Sequence, residues 1–105
     1  MSDTQNSGLQ YLMIIAEQKK KKKFQALLYE HGAHGIETIY GYGSTSPRTF
    51  AAAFGFDARQ GKVLISCLVK TDDARDLINI LYNEYKFNKP NTGIAFTVPV
   101  EGLSF

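Results

Sequence analysis

Gly93-Ile94-Ala95-Phe96-Thr97-Val98-Pro99-Val100 reads as a strand entered through a glycine, preceded by a helical pattern and the polar turn Asn88-Lys89-Pro90-Asn91-Thr92. Pro99 donates no ladder hydrogen bond, which suits an edge position. Working back towards the N-terminus, the apolar periodicity gives strand, helix, strand, long connection, strand, helix and strand. This alternation predicts a small α+β domain with a four-stranded sheet.

The first strand is Gln10 to Ala16, a nearly continuous apolar run, and the third is Lys62 to Val69 (KVLISCLV). Runs of this kind are expected where both faces of a strand are buried. The second, Gly35 to Tyr42, is interrupted by Glu37 and reads as half-buried. Helix one is predicted over Lys19 to His31, with Phe24, Leu27, Leu28 and His31 on one stripe and Gly32 as its stop. Helix two is predicted to start at Thr71 as N-cap, with Asp72 and Asp73 at its positive end. Its core stripe is Ala74, Leu77, Ile78, Leu81 and Tyr85. Two all-apolar strands and two mixed ones fit a split βαββαβ unit, with strands one and three central and strands two and four at the edges.

Two helices cover one face of such a sheet. Tyr11, Met13 and Ile15 alternate with Leu12, Ile14 and Ala16, and Leu64 and Leu68 alternate with Val63, Ile65, Cys67 and Val69, so both faces are apolar. The face without helices needs a cover, which predicts a homo-oligomer packed sheet against sheet in a closed ring.

At 105 residues the chain is one domain with a single core, expected over 9–105 behind a flexible polar tail, 1–8. No apolar run approaches the ~18 residues of a membrane span. The polar N-terminus is read as neither signal peptide nor anchor. Cys67 is the only cysteine, which excludes an internal disulfide and fits a cytoplasmic location. The formal net charge is +2, but removing the five lysines at 19–23 leaves −3. The charge is therefore one cationic segment, unlike the spread of Lys and Arg with interleaved aromatics expected of a nucleic-acid binder. No nucleic-acid partner is expected. The run sits where cations oppose the helix dipole; a solvated helix end, an anionic ligand, an acidic partner and an anionic membrane surface all remain open.

Two segments are suited to binding. Residues 41–61 form a connection too long for a hairpin, with Gly41, Tyr42, Gly43 and Ser44 at its base and Arg48, Phe50, Phe54, Phe56 and Arg59 along it. Connections of this length are commonly functional. It reads either as a twisted hairpin extending strands two and three, or as an arm that docks a partner or folds over a ligand. The glycine pair offers backbone N–H groups to an anion. The second segment supplies Lys89, Asn91, Thr92 and Gly93, as binding loop or as plain turn. His31 and His34 have metal-ligand spacing beside Glu30, yet one chain has no further His and no second Cys to complete a tetrahedral site. No metal site is expected within one chain. There is no nucleophile–base–acid arrangement, no P-loop and no dinucleotide fingerprint, and no catalytic residue is assigned.

The order of elements, the Gly32-Ala33-His34-Gly35-Ile36 link, the Gly41-Tyr42-Gly43 loop base, the long central connection and the closing Asn91-Thr92-Gly93-Ile94-Ala95-Phe96 together resemble the nitrogen regulatory protein PII family, in its divergent PII-like branch, over about residues 10–103. The resemblance implies a ferredoxin-like homotrimer, a non-enzymatic signal-transduction protein that binds an adenine nucleotide or related small effector between subunits. By position, Gly41, Tyr42, Gly43 and Ser44 and the loop Lys89, Asn91, Thr92 and Gly93 would hold the ligand. Residues 43–60, with Arg48, Phe50, Phe54 and Arg59, would be the effector loop that touches a target such as a membrane transporter or metabolic enzyme. Ile94 stands where family members carry a basic residue, and Ser44 where they carry an arginine. The C-terminal arginines and the modified tyrosine of some members have no counterpart up to Phe105. Several triphosphate contacts are thereby lost, which puts AMP, ADP or an inorganic anion level with ATP. The alternative is a trimeric divalent-cation tolerance protein of similar fold, using His31, His34 or Cys67 across subunits. An acylphosphatase-like enzyme would need an early arginine, and residues 17–23 offer only lysines as cations.

Overall fold

The computed structural model describes residues 8–40, 61–89 and 92–101. Strand β1 is Leu9–Glu17, followed by a 3-10 turn Gln18–Lys20 and helix α1, Lys21–Glu30. Strand β2 is His34–Ile39 and β3 is Lys62–Lys70; helix α2 is Thr71–Asn83 and β4 is Ile94–Val100. The sheet order is β2-β3-β1-β4 with all neighbours antiparallel. The two apolar strands are central and the two mixed strands lie at the edges, the ferredoxin-like arrangement.

The register defines two faces. Leu12, Ile14 and Ala16 pair with Cys67, Ile65 and Val63 on the helix-covered face. There they form one core with Phe24, Leu27 and Leu28 of α1, Ala74, Leu77 and Leu81 of α2, and Phe87. Each fully buried Leu, Ile or Phe contributes about 1.5–3 kcal/mol by leaving water. Tyr11, Met13 and Ile15 pair with Leu68, Ser66 and Leu64 on the other face, joined from β4 by Val98, Phe96 and Ile94. Ile15 is fully buried between Leu64 and Ile94. Towards the edges the same face opens: Val98 is 47% and Ile39 43% exposed. The Tyr11 hydroxyl donates to Ser66 Oγ at 3.3 Å, satisfying the polar groups within this apolar face.

Helix α1 ends in a Schellman motif. Gly32, in the left-handed region at φ +73°, donates to Tyr29 O at 3.1 Å, and Ala33 N–H donates to Leu28 O at 3.0 Å. A bulge between His34 and Glu37 then resets the register of β2, with Gly35 at φ +60° absorbing it.

Several expected boundaries move. Helix α1 begins at Lys21, because Gln18–Lys20 turn more tightly as the chain leaves the sheet. β2 starts one residue earlier than predicted and its pairing among the described residues runs to Ile39, while Gly41 and Tyr42, at the predicted end, lie outside the described residues. Thr71 is not the N-cap. That position belongs to extended Lys70, which makes no side-chain cap, while Thr71 N–H donates to Gly8 O at 3.0 Å and Thr71 Oγ1 accepts from Gln10 Nε2 at 3.5 Å. Tyr85 lies beyond the end of α2 but still packs edge-on to Phe24, with centroids 5.2 Å apart. Among the described residues no helix is long and apolar enough to cross a membrane.

Candidate functional site

Antiparallel pairing brings the ends of three segments to one end of the sheet. Glu17 pairs with Lys62, Ile39 with Leu64, and Ile15 with Ile94. Tyr40, Gly61 and the Thr92–Gly93 entry to β4 therefore share the end at which β1 finishes. Gln18 N–H donates to Gly61 O at 3.0 Å, fastening the turn before α1 to the residue that leads into β3.

Gly41, Tyr42, Gly43, Ser44, Arg48, Phe50, Phe54, Arg59 and Asn91 lie outside the described residues. Lys89 is exposed, and its backbone N–H donates to Lys86 O at 2.9 Å. Thr92 is half-buried and Gly93 is buried.

Gly93 has a structural duty that the sequence did not disclose. A Cβ there would lie 2.3 Å from Phe87 Cζ and 2.4 Å from Cε1, so the ring occupies the space that a side chain needs. Phe87 is held in turn by Phe24, with centroids 5.5 Å apart and planes at 72°. The ring reaches this position because the chain reverses after α2. Lys86 adopts the left-handed φ of +63°, and Phe87 N–H donates to Leu81 O at 3.0 Å. Phe87 follows no helical or strand periodicity, and that is why pattern reading passed over it.

The lysine run also makes contacts that spacing did not announce. Lys21 Nζ donates to the hydroxyl of Tyr40, the residue just before Gly41. The ammonium lies 5.0 Å from the ring centroid. With the hydroxyl already in contact, that distance places it off the ring edge and not over the face. Beside it Gln25 Nε2 donates to Thr38 Oγ1 at 2.8 Å, a second tie between α1 and β2. Lys23 Nζ sits 5.6 Å from the centroid of Tyr85. Glu17 pairs with Lys19 at 3.6 Å and Lys20 at 3.8 Å.

The residues of the metal alternative are separated. His31 is half-buried and its Nδ1 is committed to Leu27 O at 3.0 Å; the carbonyl only accepts, so Nδ1 carries the proton. His34 is exposed and pairs with Leu68 on the uncovered face. Cys67 is buried on the opposite, helix-covered face, where burial pushes its thiol up to about 11. Among the described residues no group of three or more His, Cys, Asp or Glu could hold a metal ion.

A cleft of about 260 Å³ lies elsewhere, lined by Gln10, Thr71, Ala74, Arg75, Ile78, Asn79 and Thr97. Gln10 is seven residues along β1 from Glu17, about 23 Å at the rise of a strand. Of the described ligand-binding residues expected from the sequence, Lys89, Thr92 and Gly93, none lines it.

Solved structures share this architecture. CPII from Thiomonas intermedia K12, in a structure bound to ADP, AMP and acetate, superposes with a TM-score of 0.64 at 18% identity, covering 85% of this chain and 82% of that one. A putative PII-like signalling protein from Thermus thermophilus gives 0.61 at 19% identity, covering 86% and 83%. Arabidopsis thaliana PII bound to citrate gives 0.58 at 18% identity, covering 90% and 79%. At these identities the likeness is one of fold. No curated protein matches the chain by sequence. The family model for nitrogen regulatory protein P-II, however, matches residues 9–104, a span that contains all four strands and both helices. The chain belongs to the nitrogen regulatory protein P-II family.

Proposed function

We propose that the protein is a PII-like, non-enzymatic regulator of the cytoplasm, a homotrimer that binds an adenine nucleotide or a small anion between subunits. Ligand occupancy changes the state of residues 43–60, and so the affinity for a target protein such as a transporter or a metabolic enzyme. The observation that carries this reading is the convergence, in a P-II family chain, of Tyr40, Gly61 and Thr92–Gly93 at one end of the sheet. Gly41, Tyr42, Gly43 and Ser44 follow directly from Tyr40, and Lys89 and Asn91 precede Thr92 and Gly93. The ligand set is thereby drawn from two segments whose described ends lie at the same end of the sheet, on its opposite edges β2 and β4. CPII has been solved with ADP, AMP and acetate and with ADP, AMP and bicarbonate, and Arabidopsis PII with citrate, which favours adenine nucleotides and small carboxylates as the ligand class.

The trimer is supported by the uncovered apolar face. Ile39 and Val98 stand exposed at its two edges, and apolar area left in water by one subunit is recovered when copies pack together. The divalent-cation alternative loses support from the burial of Cys67 on the helix-covered face, out of reach of another subunit.

Isothermal titration with ATP, ADP, AMP, bicarbonate and citrate, together with sedimentation of the free protein, tests the proposal. A trimer that binds an adenine nucleotide or one of the anions is the expected result. A folded single subunit at micromolar concentration, or binding by none of the five, would refute it.

A further inference from the structure

Charge is segregated along the strand axis. Among the described residues, the end at which β1 finishes carries Lys19 to Lys23 after β1, Lys62 at the start of β3, and Lys86 and Lys89 between α2 and β4. Against these eight lysines stand Glu17 and Glu84, a formal balance of +6. The other end, where β1 begins, α1 stops and β3 passes into α2, carries Lys70 and Arg75 against Glu30, Asp72, Asp73, Asp76 and Glu101, a balance of −3. The two ends stand about 26 Å apart along β1 at the rise of a strand. Charges in about 0.1 M salt are screened beyond about 10 Å, so the acids of one end do not neutralise the field of the other.

Folding does not account for the lysine run. It fills the 3-10 turn and the first turn of α1, where the helix dipole opposes cations, and that helical turn holds no acid. Lys19 and Lys20 share the carboxylate of Glu17 at 3.6 and 3.8 Å, both longer than a direct charge-assisted hydrogen bond. Lys21 and Lys23 lie against Tyr40 and Tyr85. Lys22 is exposed and makes no ion pair among the described residues. Lys19, Lys20 and Lys22 therefore keep ammonium groups available to a partner.

The chemistry of this end selects the partner. Every described cation there is a lysine, a mobile point charge, with no arginine fork to grip one fixed group. The rings beside the run, Tyr40 and Tyr85, are half-buried and already engaged by Lys21 and Lys23, so they offer no stacking platform for nucleic-acid bases. The cleft lined by Gln10, Thr71 and Thr97 lies towards the opposite end and cannot seat an acidic peptide beside the lysines. A cluster of lysines opening an amphipathic helix suits a surface of many mobile anionic groups.

We propose that this end of the sheet is a peripheral docking surface for an anionic lipid bilayer, with Lys19, Lys20 and Lys22 as its contact residues. It is separate from the nucleotide reading above and does not depend on it. The segregated charge also orients the molecule, lysines towards the headgroups and Asp72, Asp73 and Asp76 away from them.

The test is co-sedimentation of the full chain with vesicles of phosphatidylcholine alone and of phosphatidylcholine with about 30% phosphatidylglycerol, in about 0.1 M and about 0.5 M salt. It compares the natural protein with Lys19→Gln/Lys20→Gln/Lys22→Gln, with the corresponding triple arginine variant, and with Lys70→Gln/Arg75→Gln at the acidic end, each checked for folding by circular dichroism. The natural protein should bind the anionic vesicles at the lower salt only and leave the zwitterionic ones. The triple glutamine variant should lose at least about tenfold in partitioning, while the arginine variant and the acidic-end variant stay within about twofold. Equal binding to both lipids, no binding to the anionic vesicles, or a glutamine variant within about twofold of the natural protein overturns the proposal. Tighter binding to duplex DNA or to polyglutamate than to the anionic vesicles at the same salt assigns the lysines to that polymer and overturns it as well.

Discussion

Replacing Gly93 with alanine separates a packing role from a purely ligand-contacting one. The new methyl carbon would lie 2.3, 2.4 and 2.7 Å from Phe87 Cζ, Cε1 and Cε2, where carbon atoms in ordinary contact stand about 3.5–4.0 Å apart. The ring must therefore retreat by more than ~1 Å. It has little room to do so, since Phe24 lies edge-on at 5.5 Å and is itself wedged against Tyr85 at 5.2 Å. Gly93 is not among the glycines with positive φ, so the penalty is one of space and not of backbone conformation. Overpacking of this kind costs about 1–3 kcal/mol, and the rigidity of the aromatic trio puts the expectation at about 2–3 kcal/mol. For a chain of this length that lowers the unfolding temperature by about 10–20 °C. The assay is urea and thermal unfolding of Gly93→Ala, Phe87→Leu and the double variant. Shortening the ring should make room for the methyl group, so the double variant should be more stable than the two single losses predict by at least about 1 kcal/mol. A Gly93→Ala protein within about 0.5 kcal/mol of the natural one, or strictly additive losses, would refute the reasoning.

Three further outcomes are expected. Val98→Glu places a charge on an edge of the uncovered face that a lone subunit leaves in water, so sedimentation should show a folded but dissociated protein; an intact oligomer would disprove packing through this face. Because burial raises the Cys67 thiol from 9.0 to about 11, the unfolded chain releases its proton first as pH rises. Stability from this group is complete below pH 9 and falls between about 9 and 11. Urea unfolding of Cys67→Ala should lack that part of the alkaline decline, and an identical pH profile would contradict it. Lys86→Gly relaxes a left-handed residue at φ +63° and should stabilise the protein by up to about 1 kcal/mol in urea unfolding; a loss of stability would show that the lysine side chain matters more than its backbone conformation.

The sequence alone determined the element order, the central placement of β1 and β3, the helix-covered core and the apolarity of the second face. These follow from apolar patterning, and patterning is a local property: an unbroken apolar run in Tyr11–Ala16 or a period of 3.6 in Ala74–Leu81 states which atoms must leave water whatever the rest of the chain does. Gly32 was legible for the same reason, since a Schellman end is built within six residues. Tertiary structure decided what depends on residues distant in sequence. Thr71 lost the expected cap because Lys70 is still in the sheet, and the Thr71 amide finds Gly8 instead. Gly93 required a glycine because of a ring six positions earlier, swung into place by the left-handed Lys86. Lys21 and Lys23 acquired Tyr40 and Tyr85 as partners only once α1 lay across the sheet. Side-chain contacts between elements are set by register and docking, and neither is written in the spacing of any single segment.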